Sequence, residues 1–389
     1  MSETAGLSRR AVLARTGQAG TAAILGGTFA TLGISPAAAD PPYPTDQTFR
    51  LRRLDARWLW RVACGSDQWP HVAIDNQTLI AGWGDGWGFQ HPASEAKSAI
   101  GFTRFGGPPA APDITDLWAD RMSASVRALS LKPQALLKVG NAVYVYAMGL
   151  VDGRDRTRLF RMPLDGSSFT SVQPDVVRKS VHGLQVVGVV HQKPLVNGDP
   201  VLLLAEHGGL ESAALYVGEP KNPTVWAARV PTGVLGDSSR WQWFCGLDGN
   251  RAPIWSLASV RDRIFTTPTG RRVVPVFEDL RGAGKHIMIS RCPSLPGYVL
   301  AKTQNWLELG LFYGPTPFGP WTTLFYGPFV PAGAAAESRI FTAQVVIKWS
   351  YDRVLSLMWS GAPRPTACSD PQSGNYDAVH LTRFAVERI

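Results

Sequence analysis

Two aspartates in one short stretch have the side chains and the spacing for acid/base chemistry. Apolar runs at 72–74 and 78–83 are separated by a turn-forming cluster that begins at Asp75, so the stretch predicts a β-hairpin. The chain reverses once in a hairpin, so Asp67, before the first strand, and Asp85, after the second, converge at the same end. Asp75 is expected at the opposite end, as a turn residue.

Paired carboxyl groups at one rim are what glycoside hydrolysis requires, because one protonates the leaving oxygen while the other activates water or attacks. Trp69, Trp83 and Trp87 flank the pair, and aromatic faces stack on sugar rings. We assign the base or nucleophile role to Asp67. Asp85 is assigned as the acid, since desolvation among Trp and Gly would keep it protonated. The alternative is that each aspartate only shapes a Gly-rich turn.

Hairpins of the same kind recur along the chain, at intervals of roughly 60 to 80 residues. They pair 135–139 with 143–149, 184–190 with 201–208, 264–266 with 273–278, and 343–349 with 354–361. No long helical stripe interrupts them. This pattern predicts an all-β, five-bladed β-propeller formed by residues 40–389 as a single domain. A β-sandwich is the alternative, but it favours strands spaced evenly at about 8 to 12 residues.

Side chains from all blades converge at one mouth of a propeller. If the hairpins are equivalent, Met148, Glu206, Glu278 and Ser360 correspond to Asp85, and Lys132, His182 and Gln344 correspond to Asp67. The predicted substrate-binding residues are Trp69, Trp83, Trp87, His182, Glu206, His207, Glu278, Gln344 and Trp359. The alternatives are that Glu206 and His207 form a solvated strand end, that Glu278 belongs to a turn, and that Trp83 and Trp359 pack between blades.

The first 39 residues have the pattern of an export signal. A twin-arginine pattern at Ser8–Leu13 precedes a Gly/Ala-rich apolar segment, and Ala37–Ala39 forms a small-residue cleavage site. The expected mature chain begins at Asp40, has 350 residues and is secreted or associated with the cell wall. A transmembrane anchor is the alternative. The net charge of +9 falls to about +7 without the leader, which carries +2, and this favours an acidic partner or wall polymer.

The chain has four cysteines that lie far apart in the sequence: Cys64, Cys245, Cys292 and Cys368. They could form up to two disulfides, with three possible pairings. Free thiols fit equally well. Histidines such as His91 and His380 lack metal-ligand spacing, so we expect neither metal nor cofactor. The basic residues are dispersed, which argues against a nucleic-acid partner. We expect a monomer without stable membrane insertion.

The segments 65–70 and 82–89 resemble the leading motif of the family catalogued as domain of unknown function 4185. That family is associated with bacterial endo-D-arabinanases of glycoside hydrolase family 183. Gly314–Trp321 and Val345–Gly361 are similar to later segments of such five-bladed hydrolases. The resemblance implies that Asp67 and Asp85 are the catalytic pair, and that the substrate is an arabinan, with the D-arabinan of cell-wall arabinogalactan as the first expectation.

The sequence therefore predicts a secreted glycoside hydrolase that cleaves furanosidic linkages in a polysaccharide. Two other classes stay open. A non-catalytic carbohydrate-binding propeller would keep the aromatics and lose the paired-acid geometry. A polysaccharide lyase would use a Tyr/His or Arg constellation, for which Tyr144, Tyr146 and His182 are candidates.

Overall fold

A computed structural model provides the structure of the protein, and it describes most of the chain beyond residue 39. The described residues are 40–54, 63, 66–89, 98–118, 131–151, 154–173, 185–192, 212–218, 224–261, 264–279, 287–304, 308–329, 340–361 and 378–389. The predicted leader, His182, Glu206, His207, Cys64 and Cys368 lie outside these residues.

Five antiparallel sheets of four or more strands make up the described part of the chain. Blade 1 contains β2 (Asp67–Ala73), β3 (Leu79–Gly86), β4 (Ser98–Gly106) and β5 (Asp113–Trp118). Blade 2 contains β6 (Lys132–Val139), β7 (Ala142–Val151), β8 (Arg154–Pro163) and β9 (Thr170–Gln173). Blade 3 contains β10 (Gln185–Gln192), β11 (Ser212–Gly218), β12 (Thr224–Pro231), β13 (Gln242–Leu247) and β14 (Pro253–Leu257).

The remaining strands form two further blades and additions to blade 3. Blade 4 contains β18 (Ile287–Cys292), β19 (Gly297–Gln304), β20 (Glu308–Gly314) and β21 (Thr322–Pro328). Blade 5 contains β22 (Ile340–Val345), β23 (Val354–Gly361), β24 (Val379–Arg388) and β1 (Phe49–Arg53). A short hairpin joins β15 (Ser259–Arg261) to β16 (Ile264–Thr266), and β17 (Phe277–Glu278) pairs with β12.

The innermost strands β2, β6, β10, β18 and β22 pack against one another in that order, and β22 returns to β2. Five apolar clusters lie between successive blades. Ile80 and Leu136, for example, belong to the cluster between blades 1 and 2, and Trp69 and Met358 to the cluster between blades 5 and 1. Burial of these side chains drives the association of the sheets. The predicted five-bladed, all-β propeller is confirmed.

Helical structure in the described part of the chain is limited to three single 3₁₀ turns, at Thr232–Val234, Ser238–Arg240 and Ile347–Trp349. Among the described residues, no helix has the length and the apolar character needed to cross a membrane.

Two sets of contacts close the ring. Strand β1 pairs antiparallel with β24, from Phe49 opposite Arg388 to Arg53 opposite Phe384. On the inner side, the Gln344 amide spans the seam between blades 5 and 1. Its Oε1 accepts from the backbone N–H of His71 at 2.9 Å, and its Nε2 donates to the His71 carbonyl at 3.0 Å.

The first, second and fifth predicted hairpins are confirmed as β2–β3, β6–β7 and β22–β23. In the third, β10 pairs with Ser212–Gly218, and the predicted second arm, 201–208, lies outside the described residues. The fourth is wrong. Strand β16 pairs back to β15, Phe277–Glu278 adds to β12, and the inner hairpin of blade 4 is β18–β19. Pro275 explains part of this error, since it has no N–H for a ladder bond.

The two cysteines that the structure describes, Cys245 and Cys292, are free thiols. Cys245 is partly exposed and Cys292 is buried in blade 4. Burial raises the pKa of the Cys292 thiol to about 11, so it behaves as a small apolar side chain at neutral pH.

The seam histidine makes the fold sensitive to acid. Burial lowers the pKa of His71 to about 4, although its ring nitrogens face the carbonyls of Trp69 and Val345. The unfolded chain, with an ordinary histidine pKa near 6.5, binds this proton first, so stability is full above about pH 6.5 and falls as the pH drops toward 4. We expect the free energy of unfolding of wild type, measured in urea, to decrease over this range by up to about 3 kcal/mol from His71.

His71→Gln should lower stability at pH 7.5 and flatten the dependence between pH 6.5 and 4. Burial also lowers the pKa of His380 to about 4, so His380→Gln should flatten the pH dependence in the same way. A pH dependence in His71→Gln equal to that of wild type would contradict this account.

Candidate active site

The two predicted aspartates lie together at the end of the ring where the innermost strands begin, which we call the site face. Asp67 opens β2 and pairs with Gly84 of β3, the residue before Asp85. The predicted convergence is therefore confirmed. Asp75 lies at the opposite end of the hairpin, where its Oδ1 accepts the backbone N–H of Gln77 at 2.7 Å, as expected of a turn residue.

The environments of the two carboxyl groups differ in the opposite sense from the prediction. Asp67 is buried, with 6% of its surface exposed, whereas the Asp85 side chain is 59% exposed. Trp83 and Trp87 are buried while Asp85 is not, so the burial expected at Asp85 is wrong. The carboxyl group withdrawn from water is that of Asp67.

Lys132 of blade 2 approaches the same place from the neighbouring blade. Its Nζ forms an ion pair with Asp85 Oδ1, and its side chain is 17% exposed. A Cβ atom added at Gly84 would lie 2.8 Å from Asp67 Oδ1 and 3.0 Å from Lys132 Cδ. Glycine at 84 therefore leaves the space in which the Asp67 carboxyl group and the lysine stem meet.

Backbone strain is concentrated at this place. Gln68 (φ 81°), Trp69 (φ 66°) and Asp85 (φ 45°) adopt left-handed conformations, and they are three of the five described residues other than glycine that do so. Each such residue costs on the order of 1–3 kcal/mol and persists only where its surroundings fix it. Strain of this kind clusters at functional sites.

Blade 5 fixes the strained backbone next to Asp67. The Gln68 N–H donates to Ser360 Oγ at 3.2 Å, and the Thr342 hydroxyl donates to the Gln68 carbonyl. The two hydroxyl groups also bond each other at 3.1 Å. Both backbone groups of Gln68 are therefore bonded to the neighbouring blade, which sets the direction in which the Asp67 side chain leaves the strand.

A second set of contacts fixes the turn after Asp85. Ser66 Oγ accepts the N–H of Gly88 at 3.0 Å, and Asp116 Oδ2 accepts the N–H of Phe89 at 2.7 Å. Thr103 donates to the other oxygen of Asp116 at 2.5 Å. The carboxylate of Asp116 thus orders the Gly-rich turn that presents Asp85.

The four tryptophans predicted as sugar platforms are packing residues. Trp69, Trp83, Trp87 and Trp359 are each at most 5% exposed. The Trp83 indole donates to Thr103, and the Trp359 indole donates to Thr382 while its ring stacks on His380 at 4.3 Å. They are buried because the large rings fill the spaces between strands and blades, so the prediction of a sugar-binding role for them is wrong.

Two further predicted residues have other positions. The Gln344 amide bonds both backbone groups of His71 at the seam, so it has a structural role there. Glu278 lies opposite Thr224 on β12, the third strand from the axis of blade 3, and not at the end of an inner hairpin. Its predicted equivalence to Asp85 is wrong because β17 is not part of the inner hairpin of blade 4.

Lys132 is predicted only as a position equivalent to Asp67, and this equivalence is confirmed, since Lys132 also opens an innermost strand. Its ion pair with Asp85 and the roles of Ser360 and Thr342 arise from contacts between blades, which no local pattern in the sequence indicates. Two buried amide atoms nearby, Gln68 Oε1 and Gln134 Nε2, make no hydrogen bond within the part of the chain that the structure describes. Among the described residues, no three His, Cys, Asp or Glu side chains are grouped closely enough to hold a metal ion.

No family model matches this sequence, and no curated protein does. Solved structures do resemble it. A Bacteroides ovatus protein shares 13% identity at a TM-score of 0.50, over 83% of this chain and 87% of that chain. The GH43_1 enzyme from Xanthomonas citri has 12% identity, a TM-score of 0.44, and coverage of 85% and 89%.

The α-L-arabinofuranosidase PaAbf62A from Podospora anserina, solved in complex with cellotriose, has 11% identity, a TM-score of 0.46, and coverage of 89% and 98%. Of these three likenesses, the one with the Bacteroides ovatus protein reaches a TM-score of 0.5, and at 13% identity it establishes the fold alone.

The close approach at Gly84 provides a direct probe of the site. We expect Gly84→Ala to lower the free energy of unfolding by roughly 1–3 kcal/mol, because the new methyl group overlaps the Asp67 carboxyl group and the Lys132 stem. Gly233→Ala is the matched control, since a Cβ there meets nothing within 4 Å, and it should change stability by less than about 0.5 kcal/mol. Equal effects of the two substitutions in urea unfolding would contradict the contact.

Proposed function

We propose that the protein is a glycoside hydrolase that cleaves furanosidic linkages in a polysaccharide. The observation that carries this proposal is the placement of Asp67 and Asp85 beside each other at one mouth of a five-bladed ring, with Lys132 of the next blade paired to Asp85. Glycosidic cleavage needs two carboxyl groups in different protonation states. One is buried here and the other is exposed and paired with an ammonium group, and such a difference in environment favours different states.

The environments favour roles opposite to those assigned from the sequence. Burial disfavours a charged carboxylate, so Asp67 suits the acid that protonates the leaving glycosidic oxygen. Asp85 is exposed and faces Lys132, so it suits the carboxylate that activates water or attacks the anomeric carbon. After the leaving group departs with the Asp67 proton, the entering water returns a proton to the pair.

An arabinan is the proposed substrate, with the D-arabinan of cell-wall arabinogalactan first. The support is the resemblance of segments 65–70 and 82–89 to the leading motif associated with endo-D-arabinanases, on which Asp67 and Asp85 are the matched acids. The basic balance of the chain agrees with an acidic wall polymer as its environment.

A non-catalytic carbohydrate-binding propeller has less support. That alternative depends on exposed aromatic platforms, and the four candidate tryptophans are buried. Tyr351 is the one aromatic side chain among the strongly exposed large apolar residues that the structure describes, and it lies in the β22–β23 turn, away from the site face. The paired acids remain the better supported chemistry.

Separate replacements test the proposal. Residues 40–389 should release reducing ends from arabinans or wall arabinogalactan, and Asp67→Asn and Asp85→Asn should each lower kcat by about 10²–10⁴-fold, because each removes one partner in proton transfer. Binding of the polysaccharide, measured by calorimetry, should persist. Asp75→Asn is the control from the same hairpin: its Oδ1 still accepts from Gln77, so activity should stay at the wild-type level.

Two results would count against this function. Wild-type protein that binds arabinan without releasing reducing ends would support the non-catalytic alternative. Full activity in either Asp67→Asn or Asp85→Asn would remove that residue from the chemistry. Exchange of the proposed roles would appear in the pH–rate profiles, since loss of the acid removes the basic limb and loss of the base removes the acidic limb.

We also propose that residues 1–39 direct export by the twin-arginine route, so that the propeller acts outside the cytoplasm. The support is the pair Arg9–Arg10 before an apolar segment and a small-residue site at Ala37–Ala39. Replacing both arginines with lysine should retain the uncleaved full-length protein inside the cell, as seen by immunoblotting of cell fractions. Arg15→Lys is the control, and export unaffected by the double replacement would contradict the route.

A further inference from the structure

Lys132 occupies in blade 2 the position that Asp67 occupies in blade 1. Each opens an innermost strand, Asp67 opposite Gly84 and Lys132 opposite Met148. Strands β2 and β6 are neighbours around the axis, so the lysine side chain crosses from its own blade to the acids of the next. Its stem lies where a side chain at 84 would otherwise be, and its ammonium group reaches Asp85.

The pair differs from an ordinary surface ion pair in one respect. Lys132 Nζ has less than 1 Å² of accessible surface, whereas Asp85 is open to solvent on its other side. An ammonium group shielded from water acts more strongly on its neighbour than an exposed one, because the local dielectric is lower. The ammonium group of Lys132 therefore acts on Asp85 from the buried side of the pair, and solvent contacts the other side of the carboxylate.

We infer that Lys132 is a positioning residue for Asp85, whose carboxylate it aims at the substrate. This inference rests on the proposed hydrolysis, and it assigns the lysine no contact with the reacting bond. Asp85 sits in a left-handed backbone conformation between Gly84 and Gly86, and its side chain is 59% exposed. The ion pair adds a constraint on that carboxyl group from the adjacent blade.

Three variants separate the charge from the packing. Lys132→Met keeps the apolar stem and removes the ammonium group, Lys132→Arg keeps a cation, and Lys138→Met makes the same change at the other end of β6. Hydrolysis of arabinan by residues 40–389 is followed over pH 4–9, with thermal unfolding as a check of folding. We expect Lys132→Met to lower kcat by about 10- to 100-fold with KM changed less than about threefold.

The conservative variant distinguishes positioning from structural support. A cation at 132 still aims the Asp85 carboxylate, so Lys132→Arg should retain kcat within about threefold of wild type, and Lys138→Met should leave kcat unchanged. In an Asp85→Asn background, adding Lys132→Met should lower kcat by less than about twofold further, because the lysine acts through that carboxylate.

A kcat in Lys132→Met equal to that of wild type, or an equal loss of kcat with and without Asp85, would overturn the inference. Failure of the proposed function has a different signature. In that case wild-type protein would hydrolyse no polysaccharide, while a thermal-unfolding cycle of Lys132→Met, Asp85→Asn and the double variant still showed coupling between the two side chains. Absence of that coupling would also overturn the ion pair itself.

Discussion

Closure of the ring is the constraint on which the other features of this protein depend. Five blades surround one axis only if the last is joined to the first, and here the joint is made twice. Strand β1 completes blade 5 from the outside, while the Gln344 amide bonds both backbone groups of His71 on the inside. An amide side chain that replaces a ladder pair leaves buried peptide groups satisfied where two sheets meet without strand pairing. The acid sensitivity expected of His71 arises at this joint.

The candidate site lies at the same joint, and three blades build it. Blade 1 supplies Asp67 and Asp85, blade 5 holds the Gln68 backbone through Ser360 and Thr342, and blade 2 supplies Lys132. The left-handed residues of blade 1 cost free energy that the hairpin alone does not recover, and the bonds from the adjacent blades offset it. The site therefore depends on a closed ring, since separating blades 5 and 1 would release the backbone beside one acid.

Local signals in the sequence were sufficient for much of this arrangement. Apolar runs broken by turn residues located three of the five inner hairpins, and one chain reversal placed Asp67 beside Asp85.

The errors came from long-range pairing. Strand β10 pairs with Ser212–Gly218, a partner that no local signal in the sequence indicates. The local sequence around a tryptophan at a strand end does not tell whether the ring stacks on sugar or fills a core. Only tertiary packing shows that Trp83 and Trp359 are buried. Burial also reversed the environments expected for the two acids.

Two lysine–aspartate pairs in this protein show why environment, and not residue type, marks the site. Lys302 and Asp279 are each 1% exposed, at 3.1 Å, and Lys302 also donates to the Asp279 carbonyl and lies over the Phe277 ring. Burial lowers the pKa of Lys302 while Asp279 opposes the shift, and no substrate reaches a pair enclosed in this way. Such a pair fixes how two segments meet.

In the pair of Lys132 with Asp85, the cation is shielded and the carboxylate faces solvent beside a second, buried acid. That asymmetry leaves one carboxylate accessible to a ligand beside a second that is enclosed, and acid/base cleavage of a glycoside requires two carboxyl groups in different roles.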